Sequence, residues 1–69
     1  MEELHNHVRE LRARDRLSQA ELAKLIGASR QTIALIERGD YSPSVVLALK
    51  IAHVFREPVE KIFELKGGD

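Results

Sequence analysis

Leu17–Gly39, LSQAELAKLIGASRQTIALIERG, reads as two short helices joined by a tight corner. Ser18 is a favoured N-cap, and Glu21 three residues on completes the S-x-x-E pattern, whose reciprocal hydrogen bonds satisfy free amides at a helix start. Leu22, Ala23 and Ile26 give this first helix one apolar stripe, and Gly27 stands where a left-handed residue closes it. Gly27-Ala28 is the corner. Ser29 is the next cap, and the second helix buries Ile33 and Ile36 at i, i+3 spacing, continuing through Glu37 until Gly39 ends it. Arg30, Gln31 and Thr32 are left in its first turn, polar side chains on a helix N-terminus that favours phosphate.

Outward from this stretch, Leu4, Val8 and Leu11 at i, i+4, i+7 predict an amphipathic helix up to Arg14, with residues 1–7 as its N-terminal part. Arg14-Asp15-Arg16 turns the chain, and Leu17 precedes the cap as a hydrophobic staple directed at the Leu22 region. Asp40-Tyr41-Ser42-Pro43-Ser44 has loop composition, after which Ser44 caps a helix over Val45 to Phe55. Val45, Ala48, Ile51, Ala52 and Phe55 form its inner stripe. Val46, Leu47, Leu49 and Val54 widen that stripe past one face, which calls for a partner surface. Arg56-Glu57-Pro58 breaks the helix, Val59 to Ile62 is long enough for one more turn, and Phe63 and Leu65 alternating with Glu64 and Lys66 predict an extended end. Gly67-Gly68-Asp69 is expected to fray.

A chain of 69 residues has room for one small core, and without cysteine it has neither a disulfide staple nor a thiolate metal cage. Stability then rests on helix packing, dimerisation or both. No apolar run reaches the roughly 18 residues of a membrane span, and no signal-peptide pattern is found, so a soluble cytoplasmic protein is expected. Eleven basic residues balance eleven acidic ones, but unevenly: residues 9–38 hold seven basic against four acidic, and acids gather at Glu2, Glu3, Glu57, Glu60 and Glu64. That local excess points weakly toward nucleic acid and fits a solvated mixed-charge surface as well.

Enzyme chemistry finds no support. His5 and His7, two apart on a predicted helix, point to different sides with no third ligand, and His53 has no partner, so no metal is expected. Glu57, Glu60 and Glu64 have neither pocket nor nucleophile. No cofactor is implied. Two packed helices occur in any small bundle, yet small Ala23 at the close approach and the polar cluster opening the second helix favour docking in the major groove of DNA.

The segment SQAELAKLIGASRQTIALIERGDYSPS, followed by LALKIAHVF and EKIF, resembles the small DNA-binding proteins of the phage Cro and C1 repressor family, also called the XRE family. The likeness covers residues 8–63, with the helix-turn-helix motif at residues 19–38 and residues 64–69 as a tail. It implies an all-α bundle of five helices, a transcriptional regulator acting as a repressor, and a homodimer on a pseudo-palindromic operator with residues 29–38 in the major groove. A membrane partner is not implied. The family also includes antitoxins and restriction-modification controllers, and a protein-interaction module of the same fold is a further alternative.

The resemblance assigns roles by position. Gln19 would contact a phosphate and brace the recognition helix; Ser29, Arg30, Gln31 and Thr32 would open that helix on the DNA. Arginine suits guanine, glutamine suits adenine, and threonine suits a phosphate or a thymine methyl. Leu35 departs from the family's polar reader and offers apolar contact alone; with Ala34 equally silent, DNA shape is expected to carry part of the specificity. Arg38, Tyr41 and Ser42 would meet the next phosphates, with acidic Asp40 among them. Arg12 and Glu37 resemble a structural ion pair. Apart from the resemblance, the surplus apolar residues of the C-terminal third point to the dimer contact, with Ile62, Phe63 and Leu65 ahead of Val46, Leu49 and Val54.

Overall fold

In the computed structural model, which describes residues 2–67, the chain runs through β1 (Glu2–Asn6), α1 (Val8–Asp15), α2 (Gln19–Ile26), α3 (Arg30–Arg38), α4 (Val45–Phe55), α5 (Val59–Ile62) and β2 (Phe63–Gly67). The three central helices each begin on a serine. Ser18 Oγ accepts from Glu21 N at 3.0 Å while Glu21 Oε1 accepts from Ser18 N at 2.8 Å, a complete capping box for α2. Ser29 caps α3 through Thr32 N, and Ser44 caps α4 through Leu47 N. Closure is equally local: Gly27 and Gly39 take left-handed conformations at φ 71° and 83°. Arg16 and Arg56 close α1 and α4 in the same conformation despite carrying side chains.

The apolar stripes meet in one core of Val8, Leu22, Ala23, Ile26, Ile33, Ile36, Ile51, Phe55 and Ile62. Helix α2 packs against both α3 and α4, and Ala23 is the small residue within that contact. Leu11, Leu17, Leu47, Ala52, Val54 and Phe63 lean on the core from its rim. Arg14 ties α1 to the end of α4 by donating to the Phe55 carbonyl at 2.7 Å and to Glu57 Oε2 at 2.6 Å.

Three sequence expectations need correction. Residues 2–6 are a strand and not the start of the first helix: β1 pairs antiparallel with β2, Leu4 opposite Leu65 and Asn6 opposite Phe63. Asn6 marks the break, its Oδ1 accepting from Val8 N at 3.1 Å and its Nδ2 donating to the Ile36 carbonyl at 2.9 Å. Leu4, Val8 and Leu11 do share a helical spacing, but a strand partner from the far end of the chain decides the outcome. Secondly, Val45 is exposed, so the inner side of α4 is carried by Ile51 and Phe55. Thirdly, Ile62 is fully buried in the core of its own chain and has no surface for a dimer contact. The extended C-terminal end is β2. Gly67, expected to fray, is the last residue of β2 and lies opposite Glu2; the expectations for Met1, Gly68 and Asp69 lie outside the described residues.

Candidate nucleic-acid interface

The end of α3 is anchored before its start can be presented. Arg12 on α1 grips Glu37 with both edges of its guanidinium, Nε to Oε2 at 2.5 Å and Nη2 to Oε1 at 3.0 Å, while its Nη1 donates to the Leu17 carbonyl at 2.9 Å. Gln19 Nε2 adds a bond to Glu37 Oε1 at 3.1 Å. The Arg12 and Glu37 side chains are 15% and 5% exposed, so this is a largely buried bidentate pair that joins α1, α2 and α3. Burial acts to raise the Glu37 pKa, but the hydrogen bonds from Arg12 and Gln19 outweigh it and hold the carboxyl below its ordinary value. Against Glu37 the Arg12 guanidinium is itself held more firmly protonated.

With Ile33 and Ile36 turned into the core, the opposite side of α3 faces out. Arg30 and Gln31 are exposed, and neither side chain bonds to another described residue. Ser29 and Thr32 are brought together instead, their hydroxyls 2.9 Å apart, so their first bonds serve the cap. Leu35 and Ala34 are half-buried. Arg38 lies 2.7 Å from Asp40 on the surface, and Tyr41 and Ser42 follow, exposed, in the loop before α4. Of the expected dimer contacts other than Ile62, Phe63 is half-buried against its own core and Leu65 is 65% exposed on β2.

The sequence assigns no role to Asn6, which bonds the Ile36 carbonyl near the end of α3, and offers His7 only as a rejected metal ligand. His7 Nδ1 stands 3.0 Å from Glu10 Oε2 and its Nε2 is 3.6 Å from Glu64. The Glu10 hydrogen bond is the main reason its pKa lies above 6.5. An asparagine whose side chain accepts from the amide two residues on makes an Asx-turn, a local signal that reading by apolar period alone misses. Among the described residues no group of three histidine, aspartate or glutamate side chains could hold a metal ion, and no helix is long and apolar enough to cross a membrane.

The helix-turn-helix family model matches residues 8–62. An HTH-type transcriptional regulator of Bacillus subtilis, YgzD, is 49% identical over 63 residues, which span 91% of this chain and 96% of that protein. An HTH-type transcriptional regulator of Archaeoglobus fulgidus is 45% identical over 60 residues, 87% of this chain and 84% of its own. Among solved structures, the restriction-modification controller protein C.AhdI from Aeromonas hydrophila superposes with a TM-score of 0.73 at 37% identity, over 78% of this chain and 82% of that one.

Proposed function

The chain belongs to the Cro/C1-like helix-turn-helix family of transcriptional regulators, and from that premise we propose that it binds a pseudo-palindromic DNA operator as a homodimer, α3 in the major groove. The observation that carries this reading is the division of α3. Ile33 and Ile36 lock one side into the core, while Arg30 and Gln31 stand unbonded on the other, the residue types suited to guanine and adenine edges. Gln19, Ser29, Thr32, Arg38, Tyr41 and Ser42 flank them for backbone contacts, and Leu35 offers an apolar contact at most. Gene regulation of this kind is cytoplasmic in a bacterium or archaeon.

The dimer face moves from the chain end toward α4. With Ile62 buried, α4 offers a second copy three exposed apolar side chains on one helix, Val45, Val46 and Leu49, 76%, 61% and 53% exposed, with Leu65 on β2 as a secondary candidate. A restriction-modification controller fits better than a dedicated repressor as the finer role, because a solved controller protein shares the fold and 37% identity over the superposed part with this chain. Finding a methylase or endonuclease reading frame beside this one, with the selected site upstream of it, would support that role.

Selection from a random duplex pool, followed by fluorescence anisotropy over a salt series, tests the proposal. Enrichment of a two-fold site with half-sites roughly 34 Å apart, bound more weakly as salt rises, is expected. A pool without enrichment and no salt-dependent binding would instead favour a protein-interaction module.

A further inference from the structure

Arg9, Glu10, Gln19, Ala34, Glu37 and Arg38 line a crease of about 410 Å³ where α1, the start of α2 and the outer side of α3 meet. Gln31, Ala34 and Arg38 recur on one side of α3 at helical spacing, so the crease continues the face that presents Gln31. Ala34 gives it only a methyl wall, which leaves it open.

The charges in this crease are unequally committed. Glu37 has both oxygens occupied by Arg12 and Gln19, and Glu10 is held by His7. Arg38 faces Asp40. Arg9 is exposed and forms no ion pair or side-chain hydrogen bond with another described residue. His7 is the main cause of the lowered Glu10 pKa, and the Arg9 charge adds to it. Both acids thus have hydrogen-bonding partners of their own, while Arg9 has none among the described residues.

We propose that Arg9 is a DNA phosphate contact: a phosphodiester of the strand bordering the groove lies over the crease and takes the Arg9 guanidinium as its counter-charge. This rests on the reading of α3 as the groove-entering helix. It adds a contact from α1, outside the helix-turn-helix motif, and gives Ala34 a part as the residue that keeps the approach clear. Because a phosphate is present at every step of the duplex, the contact contributes affinity without sequence preference.

The test is anisotropy titration of a labelled random-sequence duplex with the full chain across a salt series, comparing the parent with Arg9→Gln, Arg9→Lys and Lys61→Gln. Lys61 is an exposed cation on α5, away from the crease. Arg9→Gln should flatten the plot of log K against log salt by about 0.9 per protomer, roughly an eight-fold smaller loss of affinity per decade of salt. Arg9→Lys should keep the parent slope, Lys61→Gln should match the parent, and all should melt alike. A parent that binds with a steep slope while Arg9→Gln shares that slope overturns this inference and leaves the proposed function standing. Equal flattening by Arg9→Gln and Lys61→Gln also overturns it, since net charge alone would then act. A parent without salt-dependent binding removes both readings together.

Discussion

Gln31 and Glu37 sit on one helix, six residues apart, and answer to different physics. Gln31 is exposed with no partner among the described residues, so Gln31→Ala should leave the fold alone and, on the proposed reading, costs about 1 to 3 kcal/mol of discrimination between selected and random DNA. Competition anisotropy measures that difference; equal losses on both DNAs would make Gln31 a phosphate contact. Glu37 is buried against Arg12, so removing either partner strands a charge. Arg12→Ala should lose roughly 3 to 5 kcal/mol in urea unfolding, and a variant as stable as the parent would show that the pair contributes nothing. The same carboxylate sets an acid limb. Its folded pKa is lowered below 4.5, so the unfolded chain takes up a proton more readily. The stabilisation is fully present above about pH 4.5 and is lost as pH falls through the lowered value. Melting temperatures should decline over that range in the parent, and Glu37→Gln should start lower with a shallower decline.

At the scale of elements, α2, α3 and α4 are legible because their start and stop signals are local. Ser18 with Glu21, Ser29, Ser44, Gly27 and Gly39 each act within a few residues of the helix end they define. Gly27 gives the corner its own test. An added Cβ would meet nothing within 4 Å, so the cost of Gly27→Ala is purely that of holding φ 71° with a side chain, about 1 to 2 kcal/mol. Gly27→Asn should lose less, by thermal unfolding. The strand β1 is not legible in this way. Its five residues carry a spacing that suits a helix, and only pairing with β2 at the other end of the chain makes them extended. Arg9 escapes a reading by motif for a related reason: its place beside Gln19 and Ala34 arises from how α1 lies across α3, and no local pattern encodes it. Arg30 and Gln31 are legible because the apolar period of their own helix already turns them outward.

For the whole molecule, the exposed apolar residues of α4 bear on assembly. Leu49→Asp replaces a side chain that is already more than half exposed, so the fold should survive while the proposed dimer falls apart. Sedimentation velocity should report a monomer, with operator affinity reduced and melting little changed. Leu65→Asp should leave the assembly intact; the reverse outcome would move the contact to β2. Ile62 illustrates why apolar surplus in a sequence does not by itself mark an interface. In a core this small, a four-residue helix contributes its one fully buried side chain to the centre, and the surplus that reaches the surface comes from the longest helix instead.

The pairing of β1 with β2 also fixes an order of assembly. Glu2 opposite Gly67 closes almost the whole described chain into a ring, a closure that would carry a large entropic penalty in an unfolded coil. A packed helical bundle would remove that penalty, because the His7 amide meets the Ile62 carbonyl at 2.9 Å where both strands leave the bundle, so helices before sheet is the order expected. The sheet can then close like a zipper from Asn6–Phe63 toward Glu2–Gly67 and reopen in the opposite sense. The Arg12–Glu37–Gln19 brace of α3 uses no strand residue, so loosening of the outer pairs should leave it shut, whereas Arg38 and Ser42, which border Glu3 to Asn6 across a shared cleft, are the proposed DNA contacts that such loosening would reach.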